Sequence, residues 1–145
     1  MIAIREASEC DAEVLAELNA AFNSVQRGAD HIRAQITASG STETVLLAEE
    51  LSSIVGFLCF QTLTSVCYDA PWCEITELYV VPSHRRRGAG RLLVAEVIRR
   101  AEEVNASELL VRTNSNNRIA QDLCAGIGLE TVPQVVFRST VAEPR

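Results

Sequence analysis

No lysine occurs anywhere in the 145 residues, so all 13 basic side chains are arginines. That absence excludes the nucleoside-triphosphate loop, whose phosphate cradle needs a lysine directly after its last glycine. Aromatic residues make up only 5% and the net charge is −6. Both are a poor match to a nucleic-acid surface, which relies on excess cations and stacking rings. The five cysteines (10, 59, 67, 73 and 124) form no Cys-x-x-Cys pair. An odd, scattered set argues against a disulfide framework and against a zinc site, so no metal is expected and most cysteines read as small buried hydrophobes. No apolar run approaches the roughly 18 residues of a membrane span, and the first residues lack the basic-then-apolar layout of a signal peptide. The expectation is a soluble, cytoplasmic protein with neither nucleic acid nor membrane as partner. Internal repeats, linkers and low-complexity stretches are also missing, so 1–145 reads as a single domain.

The charge that is present is unevenly spread. Residues 1–84 hold 12 acids and 3 arginines, a balance of −9, whereas 85–118 hold 8 arginines and 4 acids, a balance of +4. An acidic body with one basic segment suits an anionic cofactor at one place and a cationic substrate at another. The basic segment begins with Arg-Arg-Arg-Gly-Ala-Gly at 85–90. Before it, Leu78-Tyr79-Val80-Val81 reads as a strand stopped by Pro82, which cannot donate to a sheet. After it, 92–104 places Leu93, Val97, Ala101 and Val104 at helical spacing and leaves Arg99, Arg100, Glu102 and Glu103 for solvent. A glycine turn opening a helix presents unpaired N–H groups and the positive end of the helix dipole, which together bind phosphate. The dinucleotide version of such a turn needs three glycines at wider spacing and an acid on the next strand, and does not fit.

Along the rest of the chain, 2–6 alternates as a short strand and Ser8-x-x-Asp11 reads as a helix-capping pattern. Leu15, Leu18 and Phe22 share a helical face; Gly28 interrupts, and a second helix at 30–38 sets Ile32 and Ile36 one turn apart before Gly40 ends it. Residues 44–48 and 54–63 read as a strand hairpin, 64–72 as a polar and aromatic loop, and 135–141 as a final strand.

The 85–90 segment resembles the acyl-CoA signature of the GNAT superfamily of N-acyltransferases, Gln/Arg-x-x-Gly-x-Gly/Ala, with Arg85, Gly88 and Gly90 at its three defining positions. The strand before it and the helix after it stand in the family's order. So do the strand-like Glu108-Leu109-Leu110-Val111-Arg112, a helix opening at Asn117-Arg118-Ile119-Ala120 and closing at Gly128-Leu129, and a first strand through Ile4-Arg5-Glu6-Ala7. The resemblance spans essentially the whole chain and is most specific over 74–129. It implies a single α/β domain: a mixed, mostly antiparallel sheet of six to seven strands, splayed next to Val80 and Val81, with helices on both faces.

The resemblance also implies a reaction, transfer of an acetyl group from acetyl-CoA to a primary amine. Backbone groups of Leu78, Tyr79, Val80 and Val81 are expected along the pantetheine arm. Those of Arg86, Arg87, Gly88, Ala89, Gly90 and Arg91 are expected at the pyrophosphate, and Asn117 is expected nearby. Glu77 lies where many relatives carry an acid facing the substrate. A carboxylate on an apolar strand must pair or face a cavity, so Glu77 either holds or deprotonates the substrate ammonium, or forms a structural ion pair. Cys124 stands where the family usually has the tyrosine that donates to the departing thiolate. Its thiol has a suitable ordinary pKa near 8.5 but a shorter reach, so it is either that acid or a packing residue. If it packs, solvent or another group such as Tyr79 would protonate the thiolate. Asp69, Trp72 and Glu74 are candidates for the acceptor site; Tyr68 and Trp72 suit stacking on a ligand and equally suit a loop anchor or a contact in a homodimer. The acidic body favours a cationic small molecule as the amine. A peptide N-terminus, or a non-catalytic acyl-CoA-binding module serving a partner, are the competing readings.

Overall fold

A computed structural model describes residues 1–24, 27–39 and 42–142. Five strands form one sheet in the order of the chain: β1 (Ile2–Glu6), β2 (Glu43–Glu50), β3 (Ser53–Ser65), β4 (Tyr68–Val80) and β5 (Leu109–Val111). The first four pair antiparallel and β5 pairs parallel with β4. The helices are α1 (Ala12–Asn23), α2 (Ala29–Ser39), α3 (Ala89–Glu103) and α4 (Arg118–Ile127).

Among the described residues the sheet has five strands rather than six to seven. Residues 135–141, expected as a final strand, form none among the described residues and are exposed to solvent. The expected loop at 64–72 is also replaced by regular structure. β3 and β4 run on as a long hairpin, thirteen residues a side, which carries Asp69 and Trp72 toward its tip. Gly40, expected to end α2, lies outside the described residues.

Each face of the sheet is covered by helix. On one side α3 buries Leu93, Val94 and Val97 against Leu46, Leu58, Phe60 and Ile75. On the other, Leu15 and Leu18 of α1 pack on Leu47 and Phe57, with Ile32 and Ile36 of α2 beside them. Ser8 and Asp11 form the capping box that turns β1 toward α1, and Asp11 is held by two guanidinium bonds from Arg5, at 2.8 and 3.0 Å. α3 begins three residues earlier than its apolar spacing suggested, at Ala89, and Val104 sits just beyond its end, exposed.

Two irregularities position the site. β5 stays with β4 only from Cys73 to Ile75, so from Thr76 onward the β4 edge stands open. The register against β3 also slips there: Cys59 faces Glu77 but Phe60 faces Ile75. This bulge changes which side alternate residues face. Ile75 joins the α3-side core, whereas Glu77, two residues on, turns to the α1–α2 side with Cys59.

Candidate active site

A groove of about 600 Å³ opens where β4 and β5 part. Its walls come from Leu78, Tyr79 and Val80 of β4, the turn and first residues of α3, and Asn117, Ala120 and Leu123 of α4. Alternation along β4 explains which backbone groups face it. The Val81 N–H is spent on Val55 O at 2.9 Å, within the sheet, while the Val80 carbonyl points the other way.

The three consecutive arginines divide between tasks. Arg85 donates its Nε to Val80 O at 2.9 Å, and its guanidinium lies 5.7 Å from the centre of the Tyr79 ring. Arg87 turns outward to Glu50, which His84 also approaches at 3.5 Å. Arg86 lines the groove from a left-handed backbone position, φ +61°. Gly88 follows at φ +96° as the N-cap of α3. No side chain caps this helix end, so the first-turn N–H groups are presented to the groove without an intrahelical acceptor. The close approach of the two helices depends on Gly90, where a Cβ would stand 2.8 Å from Leu123 Cδ2. Arg91 then ties α3 to the end of α4 by donating to Gly126 O at 2.9 Å. An uncapped helix start, a left-handed glycine and an open strand edge in one groove fit a phosphate-bearing, arm-shaped cofactor.

A second cavity, about 240 Å³, lies on the α1–α2 side of β4. Its wall includes Glu6, Asn19, Gln35, Glu43, Cys59 and Glu77, and no basic side chain is among its described lining residues. Glu6 is paired with Arg100 at 2.8 Å, and Glu43 accepts from the Thr76 hydroxyl at 2.8 Å. The Cys59 thiol is pushed well above its ordinary range, first by burial and then by the negative charge of Glu43 and Glu77. Both carboxylates therefore act on the same point. Between cavity and groove stands an aromatic cluster. Phe22 stacks on Tyr79 at 5.2 Å and meets Phe57 edge-on at 6.3 Å.

Of the residues expected at the cofactor, Leu78, Tyr79, Val80, Arg86, Gly88, Ala89, Gly90, Arg91 and Asn117 line the groove; Val81 and Arg87 do not. Glu77 lines the acidic cavity. Cys124 lines neither; it is half-buried on α4, where burial raises its thiol pKa. Asp69, Trp72 and Glu74 also fall outside both linings, and Glu74 is paired with Arg112 at 2.9 Å. Glu43 and Cys59 went unnoticed in the sequence because only the register of β2, β3 and β4 brings them to Glu77. Phe22 was legible as an apolar helix residue but not as a wall of the groove.

The fold and groove define an α/β domain with a groove suited to a phosphate-bearing ligand, and the comparisons with known proteins make that specific. Residues 12–128 match the Acetyltransferase (GNAT) family, and the chain belongs to it. The family comprises acyl-CoA-dependent N-acetyltransferases. Among curated proteins the chain is 30% identical over 71 residues to aminoglycoside N(6')-acetyltransferase type 1 of Salmonella typhimurium, covering 49% of each. It thus spans about half the length of that relative. Among solved structures, the ribosomal-protein-alanine N-acetyltransferase of Brucella melitensis biovar Abortus 2308 superposes with a TM-score of 0.85 at 20% identity, over 98% of this chain and 100% of that one. AAC(6')-Iy, in complex with the bisubstrate analog CoA-S-monomethyl-acetylneamine, superposes with a TM-score of 0.83 at 20% identity, over 98% and 99%.

Proposed function

We propose that the protein transfers an acetyl group from acetyl-CoA to a primary amine of a small cationic molecule. The observation that carries this reading is the acidic cavity set against the groove, with Glu77 and Leu78, neighbours on β4, facing the two sides. When bound, acetyl-CoA supplies an acetyl group activated as a thioester. The first-turn N–H groups of α3 would hold its pyrophosphate, with Arg86 adding charge, and the open edge at Leu78 and Val80 would align the pantetheine arm.

An amine arrives as an ammonium and has no lone pair to offer until it loses a proton. Glu43 and Glu77 favour the ammonium's entry by charge. Glu77 then accepts the proton, directly or through water, and the aromatic cluster of Phe22, Phe57 and Tyr79 keeps bulk water from the meeting point. Absence of Cys124 from the groove lining supports a packing role for it, with Tyr79, which lines the groove, or solvent returning a proton to the leaving sulfur. The names of the aminoglycoside-acetylating relatives support a polyamine-like acceptor. That of the Brucella neighbour keeps a peptide N-terminus as the alternative. The absence of the usual tyrosine at Cys124 favours a second reading, a non-catalytic acyl-CoA-binding module.

A panel of amines assayed by release of free coenzyme A thiol tests this. Cationic diamines and aminoglycosides are expected to turn over well above background thioester hydrolysis, and neutral amines of like size poorly. A panel in which only peptide N-termini react would move the acceptor class. No turnover with any amine, alongside tight acetyl-CoA binding, would leave the non-catalytic module.

A further inference from the structure

The bulge in β4 is held by a side chain of its own. Thr76 is its extra residue, without a partner on β3, between Ile75 opposite Phe60 and Glu77 opposite Cys59. The Thr76 hydroxyl donates across β3 to Glu43 Oε1 on β2, at 2.8 Å, and lies 3.3 Å from the Cys59 carbonyl oxygen. Its single proton goes to the shorter bond, whose acceptor is charged. One side chain thus ties three strands together at the point where the β4 edge comes open.

Glu43 opens β2 and is half-buried in the wall of the acidic cavity. A glutamate side chain is rich in rotamers, so by itself it would hold no fixed place. Thr76 removes that freedom by engaging one oxygen and leaves the second for the cavity. Among the described residues no cation pairs with Glu43, whereas Glu6, on the same wall, is matched by Arg100. Glu77 follows Thr76 in the chain and lines the same cavity, and the Cys59 thiol feels the charge of both acids. With Glu77 given to the reacting amine, Glu43 is a fixed carboxylate with no cation of its own.

The rest of the cavity says what could bring that cation. Leu15, Ile32, Ile36 and Val45 give the wall an apolar part. The volume of about 240 Å³ is below the roughly 300–1,000 Å³ of pockets that enclose drug-sized ligands. Such a space suits a short alkyl chain with charge at its ends. We propose that Glu43, fixed by Thr76, selects the acceptor: its second oxygen takes a further ammonium group of the substrate while Glu77 serves the reacting one. The acceptor is accordingly a short aliphatic diamine. This rests on the acetyl-transfer reading for the use of Glu77, and adds the residue that sets specificity. Thr76 is a positioning residue, which touches no substrate and acts through Glu43.

Calorimetric titration of the full chain, with coenzyme A present, compares 1,4-diaminobutane with 1-aminobutane, which share a chain length and differ by one charge at neutral pH. The wild type is expected to bind the diamine at least about tenfold more tightly. Glu43→Gln is expected to lose that preference while keeping its affinity for the monoamine. Thr76→Val, alike in shape but without the hydroxyl, is expected to lose most of the preference, and Thr76→Ser, which keeps the hydroxyl, to retain it. A merely structural role for Thr76 would weaken both amines alike. Circular dichroism checks that each variant is folded; should Thr76→Val fail to fold, Glu43→Gln and Thr76→Ser carry the test. A wild type that binds both amines equally or neither, a Glu43→Gln variant that still prefers the diamine, or a Thr76→Ser variant without the preference would overturn the inference. Preference for the diamine without turnover of any amine would instead contradict the acetyl-transfer reading and leave the role of Glu43 in place.

Discussion

At the scale of the residue, Glu77 is the side chain on which the proposed chemistry turns. Glu77→Gln keeps the shape of the strand and removes only the capacity to accept a proton. It is expected to lower the rate at neutral pH by about 10² to 10⁴ while acetyl-CoA binding holds, because the groove uses backbone groups on β4. Steady-state kinetics beside a binding titration separate the two, and a loss below roughly tenfold would remove Glu77 as the base. Cys124→Ala is expected to keep most of the turnover and cost some stability. Cys59 gives a check on the packing beside the acidic cavity. A thiol whose pKa is raised holds less reactive thiolate, so iodoacetamide at pH 8 should label Cys59 far more slowly than exposed Cys67. Mass spectrometry of the labelled peptides reads this, and equal rates would contradict the burial of Cys59 between β2 and β4. The same shift has a consequence for folding. As pH climbs past the ordinary thiol range, the unfolded chain ionises first, so this contribution to stability is complete below that range and declines above it.

At the scale of the element, what was legible in the sequence was whatever depends on local spacing. α3 shows its buried stripe, Pro82 its strand end, and Gly88 and Gly90 their turn. What was not legible depends on pairing across strands. The bulge at Thr76 follows from the register between β3 and β4, and without it Glu77 would share a face with Ile75 rather than with Cys59. The polar and aromatic residues of 64–72 read as a loop, whereas pairing of Leu63 with Trp72 and of Ser65 with Tyr68 carries both strands through. Glycines test this level. At Gly56 a Cβ would stand 2.7 Å from the Tyr79 carbonyl oxygen, which is backbone and has nowhere to go. Gly56→Ala is therefore expected to push β3 from β4 beside the groove, lowering both the melting temperature and acetyl-CoA affinity. Gly88→Ala meets no atom within 4 Å but is strained at φ +96°. It should cost about 1–2 kcal/mol in stability, read by denaturant titration. A Gly88→Ala variant less stable than Gly56→Ala would reverse this ordering.

At the scale of the whole molecule, charge and topology agree. The acidic residues of the first 84 supply the cavity on one side of β4, and the basic segment that follows supplies the turn on the other. One strand thus separates a place for an anion from a place for a cation, and its bulge and open edge let both reach the same stretch of backbone. The asymmetry was visible in composition alone. The number of strands was not, since the β-branched and aromatic residues of 135–141 suit a strand but do not supply a partner for it. The central claim, that the turn at 86–91 and the open edge of β4 form the acetyl-CoA site, is tested most directly by calorimetric titration of acetyl-CoA into the full chain. One molecule bound per chain is expected, with binding abolished in Gly88→Glu, where a carboxylate would face the pyrophosphate, and kept in Glu77→Gln. Folded wild-type protein that takes up no acetyl-CoA at millimolar concentration, or a Gly88→Glu variant that binds as tightly as the wild type, would contradict the account.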